Sequence, residues 1–325
     1  MAGTGRHQRV GLVLGAGGTV GHAFETGVLA AIAERTGWEP NDAEVIVGTS
    51  AGSVVGALTR AGLSAADQAA RITRDPLSAA GRRLFGSAPP PQPVPRPAPV
   101  RDFSMAAPEM LLSLASRPWD VRPGKVASAL LPAGRVVQGL DVLTRLYGDV
   151  TWPSAALWLC TVRLRDGRRV ILGREGAPRC PVGDAVAASC AIPGWFAPVV
   201  IAGERHVDGG AHSVTNLDVL AGYGLDLVIV VSPTSVESGL RSATLDVMMR
   251  RTAGLVLAQE RRRVQARGTA VTVIEPAADD LEVMGPISAA MNPERRAAVT
   301  RRARETTLQR LDRGPLRAAV APLHG

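Results

Sequence analysis

The pentapeptide Gly48-Thr49-Ser50-Ala51-Gly52 constrains this chain more than any other feature. It follows the apolar run Val45-Ile46-Val47 and precedes a helix-like run at 53–58. A buried strand that turns sharply through a serine into a helix belongs to an α/β fold. The turn lifts the hydroxyl clear of the backbone, and only glycine tolerates the crowding at Gly48 and Gly52. In this context Ser50 reads as a nucleophile held in an elbow. The bland alternative is a turn serine or a helix N-cap.

A second stretch supports the nucleophile. Val10-Gly11-Leu12-Val13-Leu14 reads as a buried first strand. It runs through Gly15-Ala16-Gly17-Gly18-Thr19-Val20-Gly21 into a helix with Phe24, Val28, Ala31 and Ile32 at helical spacing. Glycine-rich loops at helix N-termini offer backbone N–H groups to an anion. A dinucleotide pyrophosphate would call for an acidic residue at the end of the second strand. That strand ends instead in the elbow. The loop, with Gly15, Gly17 and Gly18, therefore reads as an oxyanion hole for Ser50, and Ala51 can add a donor.

The third piece is Val207-Asp208-Gly209-Gly210. The run 197–201, the turn Ala202-Gly203 and the return 204–207 read as a hairpin ending at Asp208. An aspartate at a strand end followed by two glycines can take a proton at an open site. Asp-Gly is also a common turn signal.

Together these residues resemble the patatin-like phospholipase family. The loop 15–21, the elbow 48–52, the segment 188–198 (Ala-Ser-Cys-Ala-Ile-Pro-Gly-Trp-Phe-Ala-Pro) and Asp208-Gly209-Gly210 stand in the family's order, and the resemblance spans residues 9–232. It implies an α/β fold with a mainly parallel central sheet flanked by helices on both faces. It also implies a Ser50–Asp208 dyad, supported by Gly209 and Gly210, that hydrolyses lipid acyl esters without metal or cofactor. Two positions depart from the family's pattern. The loop carries Val20 where an arginine or lysine is frequent. After the Asp-Gly-Gly, Ser213 and Asn216 stand where Asn and Pro are frequent. The first bears on how the loop is anchored, the second on the loop beside the dyad.

Among the histidines, His7 and His324 lie near the ends, while His22, His206 and His212 lie close to the motifs. A histidine base is thus not excluded by count, and chain order in a Ser-Asp-His triad would nominate His212. The reading from another class is a catalytically silent lipid-binding or scaffold protein on the same fold, because fold does not fix function.

A chain of 325 residues, 46% hydrophobic, can bury a large core, and it reads as one domain over 1–325. Cys160, Cys180 and Cys190 are too few and too irregular for a disulfide framework or a metal cluster. No signal peptide or 20-residue apolar span is evident, so a cytoplasmic protein, peripheral to a membrane at most, is expected. The net charge is +8, and Lys125 is the single lysine. Residues 241–325 hold 15 Arg against 9 Asp plus Glu, with pairs or runs at 250–251, 261–263, 295–296 and 301–302. Such a face is either plainly solvated or suited to an anionic membrane surface. Nucleic acid is a poor partner, since aromatic residues make up only 3% of the chain. The sequence carries no signal for an oligomeric state.

The proline-rich stretch 86–103 reads as an exposed loop. Helices are expected at 64–73, 104–117, 123–131 and 139–147, and the leucines of the last three are candidates for core or for an acyl-pocket wall. A hairpin is expected at 157–164 and 169–172, and strands at 226–231 and 269–274 with a helix over 242–266 between them. A last helix is expected at 293–311, capped by Asn292. The basic, mostly helical part 242–325 then joins the same sheet.

Overall fold

The computed structural model describes residues 8–85, 107–130, 152–236, 244–313 and 315–323. The proline-rich stretch, the helix expected at 139–147, His7 and His324 lie outside the described residues. The strands are β1 (Val10–Leu14), β2 (Val45–Gly48), β3 (Ala156–Arg163), β4 (Arg169–Leu172), β5 (Val199–Ile201), β6 (Glu204–Asp208), β7 (Leu227–Val231) and β8 (Ala270–Ile274). The helices are α1 (Gly18–Thr36), α2 (Ala51–Arg60), α3 (Ala65–Thr73), α4 (Ala79–Phe85), α5 (Pro108–Ala115), α6 (Pro123–Leu130), α7 (Val182–Ser189), α8 (Leu245–Gln265), α9 (Ala278–Met284), α10 (Arg296–Asp312) and α11 (Pro315–Val320).

The eight strands form one sheet in the order β5-β6-β3-β2-β1-β7-β8, with β4 also paired to β3. Pairing is parallel from β3 through β2, β1 and β7 to β8, and antiparallel where β6 and β4 meet β3 and where β5 meets β6. The strands β1, β2 and β7 are buried on both faces, which is why they are unbroken apolar runs. Side chains alternate across the sheet. Leu12, Leu14, Ile46 and Ile229 pack with Phe24, Val28 and Ile32 of α1, Val55 of α2, Val186 of α7 and Val299 of α10. Val13, Val45, Val47, Val228 and Val230 pack on the opposite face with Leu257 and Val264 of α8. Helices therefore cover both faces, as the alternation of strands and helices implies.

The hairpin of β5 and β6 turns at Ala202 (φ 50°) and Gly203 (φ 79°), both left-handed, as a tight two-residue turn requires. The leucine-rich region divides by role. Met110 and Leu114 of α5 and Ala129 of α6 join Val162, Leu164 and Val207 in a small core, whereas Leu112 and Leu130 are exposed. Asn292 caps the turn that leads into α10, its side chain accepting from Glu294 N at 3.0 Å, but α10 is not the last helix, since α11 follows it. The first turn there is 3-10, Pro293–Arg295, and α10 follows it.

Register brings the motifs together. Leu14, Gly48 and Val231 end their parallel strands at one level, so the glycine loop, the elbow and the Pro233 turn emerge side by side. Gly48 pairs with Leu159, and Asp208 pairs with Thr161 of the same strand. Asp208 thus sits two residues, about 7 Å, past the end of β2, where the elbow turns. This carboxyl-end crevice is where α/β sheets bind ligands.

Candidate active site

Ser50 has φ 53° and ψ −116°, a conformation costly for a residue with a side chain. The surroundings over-determine it. Ser50 N donates to Ser189 Oγ at 2.9 Å, and that hydroxyl donates to Cys160 O at 2.8 Å. Ser53 Oγ donates to Ser50 O at 2.6 Å, and Cys190 Sγ lies 3.3 Å from the same oxygen. The flanking glycines are there for space. A Cβ on Gly48 would lie 2.7 Å from Gly52 O, and one on Gly52 would collide with the Leu14 carbonyl.

Asp208 closes β6 and caps the 3-10 turn Gly209–Ala211, with Oδ1 accepting from Gly210 N at 2.7 Å. Ser50 and Asp208 are 3% and 4% exposed, so both meet little water. Burial pushes the Asp208 carboxyl up to about 6, opposed by the facing Ser50 hydroxyl and the Gly210 amide. A carboxyl poised there is ionised at neutral pH yet basic enough to take a proton. Gly209 packs on the Cys160 carbonyl, and Gly210 supplies the capping amide.

The glycine loop is not uniform in role. Gly15 N donates to Val231 O at 3.0 Å, and Gly15 O accepts from Gly52 N at 3.2 Å. Contrary to the expectation for Gly15, its amide is spent on the sheet, and the residue splices loop to elbow. Gly17 caps α1 and Gly18 opens it, positions whose amides have no carbonyl one turn back. Both line the cavity that holds Ser50 and Asp208. Gly18 has φ +61°, and a Cβ there would lie 2.7 Å from both Ala290 O and Met291 Sδ.

The departures at Ser213 and Asn216 have structural counterparts. Ser213 Oγ accepts from Asn216 N at 3.0 Å. Asn216 is left-handed (φ 54°), and its Nδ2 donates to Ser213 O at 2.7 Å and to Thr49 Oγ1 at 3.0 Å. This side chain ties the loop after Gly210 to the elbow.

None of His22, His206 and His212 lines the cavity. His206 Nδ1 pairs with Thr161 Oγ1 at 3.0 Å, and burial lowers its pKa to about 4. His212 is pushed to about 2 by burial and by Arg169, Arg122 and Lys125. His22 is lowered well below its ordinary value by burial and by the cations Arg296 and Arg71. Cys160 and Cys180 are buried, and burial raises all three thiols to about 11 or 12.

The basic C-terminal part needs one correction. Arg250 is not on a solvated face: it is 3% exposed and bound to Asp246 and to the Pro233 carbonyl. Arg295 is half-buried and donates to Val283 O at 2.9 Å. Arg261 and Arg262 do lie on the exposed side of α8.

The cavity has a volume of about 480 Å³. Ser50, Asp208, Gly17 and Gly18 line it together with the apolar Ala127, Ile192, Pro193, Trp195, Ile287 and Met291. Among its lining residues Asp208 alone is ionisable. Such a lining suits an uncharged, largely apolar molecule. Among the described residues no cluster of His, Cys, Asp and Glu is placed to hold a metal, and no helix is long and apolar enough to cross a membrane. Sequence reasoning missed Ser53 and Ser189, which pin the Ser50 backbone, and the wall at 287–291. Small polar residues near a turn carry no distinctive signal, and the wall comes from far along the chain.

Among solved structures the chain is similar to VipD from Legionella pneumophila, at 14% identity and TM-score 0.42, over 94% of this chain and 67% of that one. It is also similar to the type III effector protein ExoU, at 19% identity and TM-score 0.36, over 94% of this chain and 53% of that one. The chain thus spans about half the length of ExoU. No curated protein matches it. The sequence profile of the patatin-like phospholipases matches residues 12–221, which include the loop, the elbow and Asp208. On that match the chain belongs to the patatin-like phospholipase family.

Proposed function

We propose that the protein is a serine lipid acyl hydrolase working through a Ser50–Asp208 dyad and an acyl-enzyme. The observation that carries this is the convergence, in one apolar cavity, of a strained serine, a buried carboxyl poised near 6 and the opening amides of α1. Family membership supports the lipid hydrolase class.

In this reading Asp208 takes the proton from Ser50 Oγ as that oxygen bonds to the acyl carbonyl carbon. The carbonyl oxygen gains charge where the Gly17 and Gly18 amides can donate to it, and each such donor is worth about 2.7–4 kcal/mol. Collapse breaks the ester C–O bond, and Asp208 returns its proton to the leaving alkoxide. Water then gives a proton to Asp208 and attacks the acyl-enzyme, and Ser50 leaves reprotonated with the free acid released. None of the described histidines lines the cavity that holds Ser50 and Asp208, which supports the carboxylate as the base.

The partners in this reading are a lipid or ester substrate and, at the exposed arginines of α8, an anionic membrane surface. The test is a hydrolysis screen over glycerides, phospholipids, lysophospholipids and simple esters, with Ser50→Ala alongside. Turnover in the wild type and its loss in a folded Ser50→Ala is expected. Equal turnover in both would remove Ser50 from the mechanism.

A further inference from the structure

Val20 occupies the position where the family frequently has a cation, yet the glycine loop is firmly held. The segment 285–292 holds it from above. Ala290 O accepts from Val20 N at 2.9 Å and from Thr19 Oγ1 at 3.2 Å. The same segment turns Ile287 and Met291 into the cavity wall.

What fixes that segment is an internal ion pair. Asp246 Oδ1 accepts from Ile287 N at 2.5 Å, and Asp246 Oδ2 accepts from Arg250 Nε at 3.0 Å. Arg250 also donates to Gly285 O at 3.4 Å and to Pro233 O at 2.8 Å. Pro233 in turn packs under the loop, where a Cβ on Gly17 would lie 2.8 Å from its Cγ. Thr234 Oγ1 donates to Ala16 O at 2.5 Å. One buried guanidinium therefore ties together the segments above and below the oxyanion loop.

We infer that Met291 and Ile287 select the hydrocarbon chain of the substrate, and that Arg250 and Asp246 are the positioning residues that fix this wall against the glycine loop. The whole device lies beyond the residues that the family profile matches, 12–221. It deepens the hydrolase reading and rests on it for its turnover arm. The wall is apolar and comes close to Gly18. A chain leaving the reacting carbonyl on that side meets Met291 after a few carbons, and each buried methylene is worth about fourfold in affinity.

The test measures kcat/KM for two ester panels, one varying acyl length and one varying alkoxy length, in wild type, Met291→Ala, Met291→Phe, Asp246→Asn and Arg250→Met. Binding of methyl alkyl ketones to the Ser50→Ala background is measured by calorimetry as a readout independent of turnover. Met291→Ala opens room for about two or three methylene groups. The preferred chain should lengthen by that much, with the long-to-short ratio rising at least tenfold. Met291→Phe should move it the other way. Asp246→Asn and Arg250→Met should flatten the preference, raising KM for the favoured chain more than they lower kcat for an acetyl ester. Met249→Ala, on the exposed side of α8, should match wild type. The panel that shifts identifies acyl or alkoxy as the chain at the wall. A length preference identical in wild type, Met291→Ala and Met291→Phe, in both panels and in ketone binding, would overturn the inference. Ketone binding that follows Met291 in a protein without turnover would keep the wall and sink the hydrolase reading instead.

Discussion

Replacing Asp208 by Asn should stabilise the fold while removing the activity. The carboxyl is 4% exposed, and burial raises it from 3.8 to about 6. Folding therefore favours the protonated acid. Its ionisation weakens the native state progressively as pH rises from below 3.8 through about 6, and the full cost is present above that. Two pKa units at about 1.4 kcal/mol each give about 3 kcal/mol. Asparagine keeps an oxygen for the Gly210 amide and carries no charge. Asp208→Asn should thus be about 3 kcal/mol more stable than wild type at pH 8, with Tm higher by roughly 5 °C, and nearly equal at pH 4. Urea unfolding at both pH values and constant ionic strength measures this. A variant less stable than wild type at pH 8, or a difference that ignores pH, would show that the buried charge is compensated in some other way.

Other consequences follow from the same geometry. Hydrolysis should rise with pH through about 6 and level off by about 8, because Asp208 must be ionised to accept the Ser50 proton; a pH–rate profile centred near 4 would contradict the burial argument. Ser50→Gly should unfold at higher urea than Ser50→Ala by about 1 kcal/mol, since glycine accepts φ 53° without strain. Gly18→Val should lose activity by 100-fold or more, on the order of one oxyanion donor, because its side chain meets Ala290 and Met291. Arg261→Glu with Arg262→Glu should weaken binding to anionic vesicles by about 2 kcal/mol per residue at low salt, one attracting charge lost and one repelling charge added, and spare a soluble ester, which vesicle sedimentation can check.

How much of this was legible in the sequence depends on range. The elbow, the glycine loop and the Asp-Gly-Gly are local patterns whose chemistry needs those residue types in a row, so they could be read directly. The strands β1, β2 and β7 were equally plain, because burial on both faces leaves only apolar residues. Gly15 was misjudged because a glycine that splices two loops looks the same in sequence as one that offers its amide. Arg250 was hidden among arginines on α8, and only packing against Pro233 and Gly285 separates it from its exposed neighbours. The wall at 287–291 and the hydroxyl of Ser189 act through tertiary contacts, 271 residues apart in the case of Thr19 and Ala290, whereas Ser53 reaches only three residues back and looks like any serine in a first helical turn.

The most direct measurement is covalent labelling by a small alkyl fluorophosphonate, followed by peptide mass spectrometry. A single adduct on Ser50 is expected, formed slowly below pH 5 and fast at pH 8, and absent after Ser50→Ala. The same reaction should be slowed by orders of magnitude in Asp208→Asn, while His206→Ala and His212→Ala label at close to the wild-type rate. An unlabelled Ser50 in folded protein, or full labelling of Asp208→Asn, would contradict the dyad.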